Sequence, residues 1–147
     1  MSLEENKAVV REFIEAYNKH DLSSIEDFVA SDYFDHTNQV DRDGLKQLFE
    51  MAFKAFPDWH ETIEDIIAEG DKVWIRVSCT GTHTGGEFLG IAPTGKKVTS
   101  TGVDIYRIVN GKLAEYRQVL DQLDFLKKLG IIEYTEQGKQ LFPEDAT

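Results

Sequence analysis

Charged side chains gather on one face of a strand that residues 112–121 are predicted to form. With the period of two that a strand imposes, Glu115, Arg117 and Asp121 point to the same side. Asp121 is a carboxylate that could take up and return a proton, and Arg117 is a cation that could bind an oxygen anion. The pattern indicates either a solvated edge or a polar pocket with acid/base chemistry.

The turn at Asn110-Gly111 sets the register of this strand against the preceding one. If it is a two-residue hairpin turn, Asp104 lies opposite Arg117 and forms a cross-strand ion pair with it. One face then carries Ser100, Gly102, Asp104, Tyr106, Glu115, Arg117, Val119 and Asp121. The other face is apolar and β-branched, which predicts a homodimer interface made of Thr101, Val103, Ile105, Tyr116, Gln118 and Leu120.

The elements that must position these residues change from helices to strands near Trp59. Ser2 and Glu5 form a capping box before an amphipathic helix over about residues 3–19, and a later helix ends at Pro57. Strand-like stretches separated by turns follow. Helices followed by hairpins predict an α+β fold, in which the helices pack on one face of a curved antiparallel sheet.

Composition restricts the classes of partner. The chain has 147 residues, the size of one domain, and 27 acidic against 16 basic side chains give a net charge of -11, which disfavours nucleic acid and anionic lipid. No stretch reaches the roughly 20 apolar residues of a membrane span, so we expect a cytoplasmic protein with no membrane partner. Cys79 lies in an apolar stretch and is expected to be a buried thiol.

A run of motifs resembles a known family. The segments "AYNKHDL", "FDHTN", "AFPDW", "GTHTGGEFLGIAPTGKKV", "TGVDIYRIVNGKLAEYR" and "LDQLDFLKKLG" are similar to those of the SnoaL-like polyketide cyclases, or ester cyclases, of the nuclear-transport-factor-2-like superfamily. The resemblance covers about residues 5–131 of a single domain spanning residues 1–147, with residues 132–147 as a tail. It implies a cone-shaped α+β barrel of the cystatin-like type, with the helices on the concave face of the sheet.

The same resemblance implies roles for particular residues. Asp121 matches the aspartate that acts as general acid/base in an intramolecular aldol closure, and His36, His83 and Asp104 match the "DH", "GTH" and "GIDI" elements. A homodimer with a deep pocket, a small-molecule substrate and no cofactor is also implied. Arg117 departs from the family, which often has Trp at that position, so a cation able to bind a carboxylate or enolate oxygen replaces a flat aromatic wall.

Both histidines have a structural interpretation beside the catalytic one. His36 could stabilise a turn, or it could donate a hydrogen bond to an enolate oxygen. His83 could fix a loop over the pocket mouth, or it could transfer a proton. No ligand spacing such as His-x-x-x-His occurs, so no metal site is expected. The apolar wall of the pocket is predicted to comprise Phe13, Tyr17, Phe34, Phe53, Trp59 and Tyr106.

These observations predict a cofactor-independent enzyme in which Asp121 removes a proton alpha to a carbonyl of a small hydrophobic substrate, while His36 or Arg117 stabilises the enolate oxygen. The alternative is a protein of the same fold that binds a small molecule without turnover. The environment of Asp121 discriminates between them, because a desolvated carboxylate in a pocket favours catalysis.

Overall fold

The computed structural model describes residues 1–142 and contains helices packed on a six-stranded sheet. The helices are α1 (Leu3–Asn18), α2 (Ile25–Phe28, after a 3-10 turn at Leu22–Ser24), α3 (Arg42–Ala55), α4 (Gln122–Leu129) and α5 (Glu136–Leu141). The strands are β1 (Val29–Asp35), β2 (Val40–Asp41), β3 (His60–Glu69), β4 (Lys72–Thr82), β5 (Lys97–Val109) and β6 (Lys112–Leu120). The expected α+β class is confirmed.

The helix ends follow from the capping residues. Ser2 Oγ accepts a hydrogen bond from the Glu5 amide at 3.1 Å, as the capping box predicts, and Asp41 caps α3 by accepting from the Gly44 amide at 2.9 Å. Gly130 ends α4 in the left-handed conformation, with φ of 81°. No helix within residues 1–142 is long and apolar enough to cross a membrane.

The sheet has the order β2-β1-β6-β5-β4-β3, and most neighbouring strands are antiparallel. β1 runs parallel to β6, which the sequence did not predict. The buried face of the sheet packs against α1 and α3 through a core that includes Val10, Phe13, Ile14, Leu45, Val73, Ile75 and Val77. Of the predicted tail, α5 is described, and residues 143–147 lie outside the described residues.

A β-bulge at Ala114 overturns the predicted register of the last hairpin. Val109 pairs with Lys112 as expected, but Ile108 pairs with Leu113 and Arg107 with Glu115, so Ala114 has no partner on β5. Because side chains alternate, this one-residue slip moves every later residue of β6 to the opposite face. The predicted pairing of Asp104 with Arg117 is therefore wrong, since Asp104 lies opposite Gln118.

The predicted assignment of β6 residues to the two faces of the sheet is therefore also wrong. From β6, Tyr116, Gln118 and Leu120 point to the cavity side, together with Ser100, Gly102, Asp104 and Tyr106 of β5. Glu115, Arg117 and Val119 share the outer face with Thr101, Val103 and Ile105. Leu113 and Ala114 are both buried, and the extra residue lets each of these apolar side chains leave water.

The close approach of β5 and β6 at Gly102 gives a test of this register. A Cβ on Gly102 would lie 2.7 Å from the backbone oxygen of Val119, so Gly102→Ala should lower the free energy of unfolding by about 1–3 kcal/mol. Gly86→Ala is the control, because its Cβ would meet only the flexible Lys54 side chain, at 3.3 Å, and the change should stay within about 0.5 kcal/mol. Urea denaturation measures both. Equal effects of the two substitutions would contradict the register.

Candidate active site

A cavity of about 480 Å³ lies between the sheet and the helices. Its wall is mostly aromatic and aliphatic, which is typical of sites for small apolar molecules. Of the side chains predicted to form the pocket, the structure places these on the wall: Phe13, Tyr17, Trp59, Asp104 and Tyr106. The Trp59 indole donates a hydrogen bond to the Tyr17 hydroxyl at 2.7 Å and so joins the start of β3 to α1.

Three carboxyl groups, Asp35 of β1, Glu61 of β3 and Asp104 of β5, are buried in this wall, and the last two lie close together. Asp104 is 2% exposed, and its Oδ1 accepts hydrogen bonds from the Tyr116 hydroxyl and from the side-chain amide Nε2 of Gln118, each at 2.9 Å. Glu61 and Asp104 are near enough to share a hydrogen bond when one of them is protonated. The arrangement is a carboxyl pair that holds a proton at the wall of an apolar cavity.

Burial is the main cause of the altered acidity of this pair. It raises the pKa of Glu61 well above its usual range, and the charge of Asp104 raises it further. Burial also raises the pKa of Asp104, although the hydrogen bonds from Glu61, Gln118 and Tyr116 oppose the rise. Because these bonds favour a charge on Asp104, we assign the shared proton to Glu61 and the negative charge to Asp104.

Phenol groups provide further hydrogen-bond donors at the cavity. Tyr33 and Tyr106 both line it, and burial raises the pKa of each hydroxyl above its ordinary value. They therefore stay protonated across the physiological pH range. A protonated phenol can donate to an oxygen on which negative charge develops.

The three residues expected around the reacting group do not meet at the cavity. Asp121 is exposed and caps α4, where its carboxylate accepts from the Asp124 amide at 3.3 Å. His36 lies on the outer side of β1 and contacts Glu115 Oε1 at 2.8 Å. Arg117 is exposed on the outer face because of the bulge.

His83 holds a loop. It is fully buried, contacts the Gly86 carbonyl oxygen through Nε2 at 2.7 Å, and accepts a hydrogen bond at Nδ1 from the Thr94 amide at 3.4 Å. Its ring stacks on Phe56, with centroids 5.1 Å apart. It thereby fixes the base of the loop between β4 and β5, whose residues Phe88 and Leu89 line the cavity. This position agrees with the loop-fixing interpretation.

The two remaining wall candidates lie away from the cavity lining. Phe34 packs against His36 on the outer side of β1, because Tyr33 and Asp35 take the inward positions of that strand. Phe53 stacks on His20, with ring centroids 4.0 Å apart, and supports Tyr17 from behind. Within residues 1–142, no three His, Cys, Asp or Glu side chains form a group that could hold a metal ion.

Sequence reasoning missed Tyr33, Glu61, Tyr116 and Gln118 as cavity residues. The signal for Glu61 was present, because the inward face of β3 otherwise carries Ile63, Ile66 and Ala68, and an acid on an apolar face points to a site. A bulge between Ile63 and Asp65 concealed this face from a strict alternation. Tyr116 and Gln118 were missed because of the bulge at Ala114.

Known proteins are similar to this chain in sequence. The family model of the SnoaL-like polyketide cyclases matches residues 7–129. Aklanonic acid methyl ester cyclase DnrD of Streptomyces peucetius is 26% identical over 143 residues, covering 88% of this chain and 94% of that protein. The corresponding cyclase DauD of Streptomyces sp. (strain C5) is 26% identical over 139 residues, covering 88% of this chain and 84% of that protein.

Solved structures resemble the fold described above. AclR, a candidate hydroxylase of Streptomyces galilaeus, superposes with a TM-score of 0.82 at 36% identity, covering 90% of this chain and 100% of AclR. IdmH, a candidate polyketide cyclase of Streptomyces antibioticus, gives a TM-score of 0.74 at 28% identity, covering 85% of this chain and 98% of IdmH.

The raised pKa values of the carboxyl pair predict how stability depends on pH. A carboxyl whose pKa is higher in the folded state keeps its proton longer than in the unfolded chain, so its contribution is fully present below about pH 4 and is lost as pH rises through the folded pKa. In the double variant Glu61→Gln, Asp104→Asn this loss is absent. The free energy of unfolding of the variant relative to wild type should therefore increase from pH 4 to pH 8.

Urea denaturation across that pH range measures the difference. Glu64→Gln changes an exposed acid on the same strand and serves as the control, for which the difference from wild type should stay nearly constant. A difference that stays constant for the double variant as well would contradict the proton-holding pair.

Proposed function

We propose, from the premise that this chain belongs to the SnoaL-like polyketide cyclase family, that it is an acid/base enzyme that needs no cofactor. It acts alpha to a carbonyl of a small hydrophobic substrate and closes a ring by an intramolecular aldol reaction. The observation that carries the proposal is the carboxyl pair buried in the wall of an otherwise largely apolar cavity. The cyclases DnrD and DauD support the reaction class.

Asp104 is the base in this proposal. As the charged member of the pair, it takes a proton from the carbon next to the carbonyl, and the C–H electrons pass into an enolate. The enolate carbon attacks a second carbonyl of the same molecule, and the alkoxide that forms takes the proton back. The hydrogen bonds from Tyr116 and Gln118 orient the carboxylate, while its raised pKa suits a base that works near neutral pH.

The enolate oxygen needs a donor, and the phenols of Tyr33 and Tyr106 are available for this purpose. Both remain protonated because burial raises their pKa, so they can donate throughout the reaction. The catalytic roles expected for Asp121 and His36 stay predictions. Arg117 and His83 are not needed for this mechanism.

Replacing Asp104 tests the base directly. Asp104→Asn keeps the size of the side chain but removes the proton acceptor, so exchange of the alpha protons of pocket-sized ketones and ketoesters in deuterated buffer should fall by roughly a hundredfold or more. Proton NMR follows the exchange. Asp121→Asn, which alters an exposed cap, is the matched control and should retain exchange within a few-fold of wild type.

The opposite result would assign the role of the base to Asp121 instead of Asp104. Loss of exchange in Asp121→Asn, with full exchange in Asp104→Asn, would identify Asp121 as the base. Absence of exchange in wild type for all candidate carbonyl compounds, with the compounds still bound, would favour the alternative of a binding protein.

We also propose that the protein is a homodimer, which the outer face of the sheet supports. A cytoplasmic location is part of the same proposal. Part of the outer face is an apolar patch, in which Trp74 (45%) and Val119 (69%) are exposed beside Val103 and Ile105, and proteins seldom leave such a patch to water. The face differs from the predicted one because the bulge replaces Tyr116, Gln118 and Leu120 of β6 by Glu115, Arg117 and Val119.

Charge on this face should separate the subunits. Val119→Glu should yield monomers in sedimentation velocity at micromolar concentration, because burying a charge at an apolar interface is costly. Leu3→Glu, at the exposed start of α1, is the control and should leave the sedimentation coefficient of the dimer unchanged. A wild type that is already monomeric at that concentration would refute the dimer.

A further inference from the structure

Two polar atoms in the cavity wall have no hydrogen-bond partner among residues 1–142. They are Oγ of Ser100 and Oε1 of Glu61, and both side chains line the cavity. Ser100 is 2% exposed and Glu61 is 8% exposed. Burying such atoms unpaired is unfavourable, and the cost is recovered when a ligand supplies the missing bonds.

The two atoms come from one row across the sheet. Glu61 on β3 pairs with Cys79 on β4, and Cys79 pairs with Ser100 on β5. Their backbones are therefore two strand spacings apart, roughly 10 Å, with both side chains on the cavity side. They do not bond to each other, although both reach inward from the same row. A ligand group that satisfies both atoms would have to lie above Cys79, between the two side chains.

The charge of the wall limits what that group can be. Asp35, Glu61 and Asp104 line the cavity, and no Lys, Arg or His of the described part of the chain does. An anionic group would be repelled there. A carbonyl oxygen could accept from Ser100, but it would leave Oε1 of Glu61 unpaired. A hydroxyl group both donates and accepts, so it can satisfy both atoms while remaining uncharged.

We propose that Glu61 and Ser100 form a binding subsite for a hydroxyl group of an uncharged ring compound. The hydroxyl donates to Glu61 Oε1 and accepts from Ser100 Oγ. The inference rests on the proposed function in one respect, namely that this compound is the substrate. Glu61 is near enough to Asp104 to share a hydrogen bond when one of them is protonated, so a substrate anchored by its hydroxyl lies beside the base. Ser100 is thus a specificity-determining residue.

Binding of 2-naphthol and of naphthalene, which differ only in the hydroxyl, tests the subsite by fluorescence titration. Wild type should prefer 2-naphthol, and Ser100→Ala should reduce this preference roughly five- to tenfold without changing the naphthalene affinity. Thr80→Val is the matched control, because its hydroxyl is likewise buried and unpaired among the described residues but lies outside the cavity lining. It should leave the preference unchanged.

The unliganded stability separates binding from a structural role. Ser100→Ala removes an unpaired hydroxyl, so its thermal unfolding without ligand should not fall below that of wild type. If this variant does not fold, Ser100→Cys, which keeps the size and weakens the donor, takes its place with the same expected loss of preference.

Two results would contradict the proposed subsite. A wild type that binds both compounds equally, or a Ser100→Ala variant that keeps the full preference, would refute it. The titration involves no turnover, so absence of alpha-proton exchange in wild type would refute the proposed function and leave the subsite intact.

Discussion

The burial of acidic groups in an apolar cavity is the constraint on which the rest of this structure depends. A carboxylate out of water is costly unless donors surround it, and Asp104 obtains them from Tyr116 and Gln118 on the adjacent strand. That supply depends on the bulge at Ala114. Without the bulge, β6 would present Glu115 and Arg117 to the cavity, and a cation instead of neutral donors would face Asp104. A bidentate ion pair of that kind would lower the pKa of the carboxyl, whereas neutral donors leave it raised.

The outer face carries the charges that the bulge removes from the cavity. Glu115 contacts His36 at 2.8 Å and Arg107 at 3.2 Å, and Arg107 also reaches Asp71 at 2.9 Å. This chain of contacts links β1, β6, β5 and the turn between β3 and β4 on a solvated surface. Exposed pairs of this kind are screened by water and salt, so their role is to fix orientation more than to stabilise the fold. A single residue inserted in β6 thus separates a solvated ion-pair network from a desolvated acid/base site.

The sequence predicted the features that depend on local rules, and its errors arise where packing overrides them. Ser2, Pro57 and the Asn110-Gly111 turn are read correctly because capping, ring geometry and turn chemistry are local. The inward positions of β5 are also correct, since that strand alternates without interruption from Ser100 to Tyr106. The predicted facing of the β6 side chains is wrong because two adjacent apolar residues, Leu113 and Ala114, are both buried. A strict period of two does not allow this. The role of Asp121 came from family resemblance, and its place at the cap of α4 depends on where the strand stops, which alternation does not determine.

The loop between β4 and β5 borders the cavity, which must exclude water and still admit a substrate. The base of this loop is held in place by hydrogen bonds at both ring nitrogens of His83. A Cβ on Gly85 would lie 1.9 Å from the Lys54 carbonyl oxygen, so the loop backbone packs directly against the end of α3. Its tip is different, since Leu89 is 56% exposed and adopts a φ of 50°, a conformation that costs a non-glycine residue energy. Leu89 and the exposed Met51 of α3 both line the cavity at its border with solvent. The apolar side chains at this rim disfavour charged molecules, and the acidic wall adds a further barrier to anions from inside.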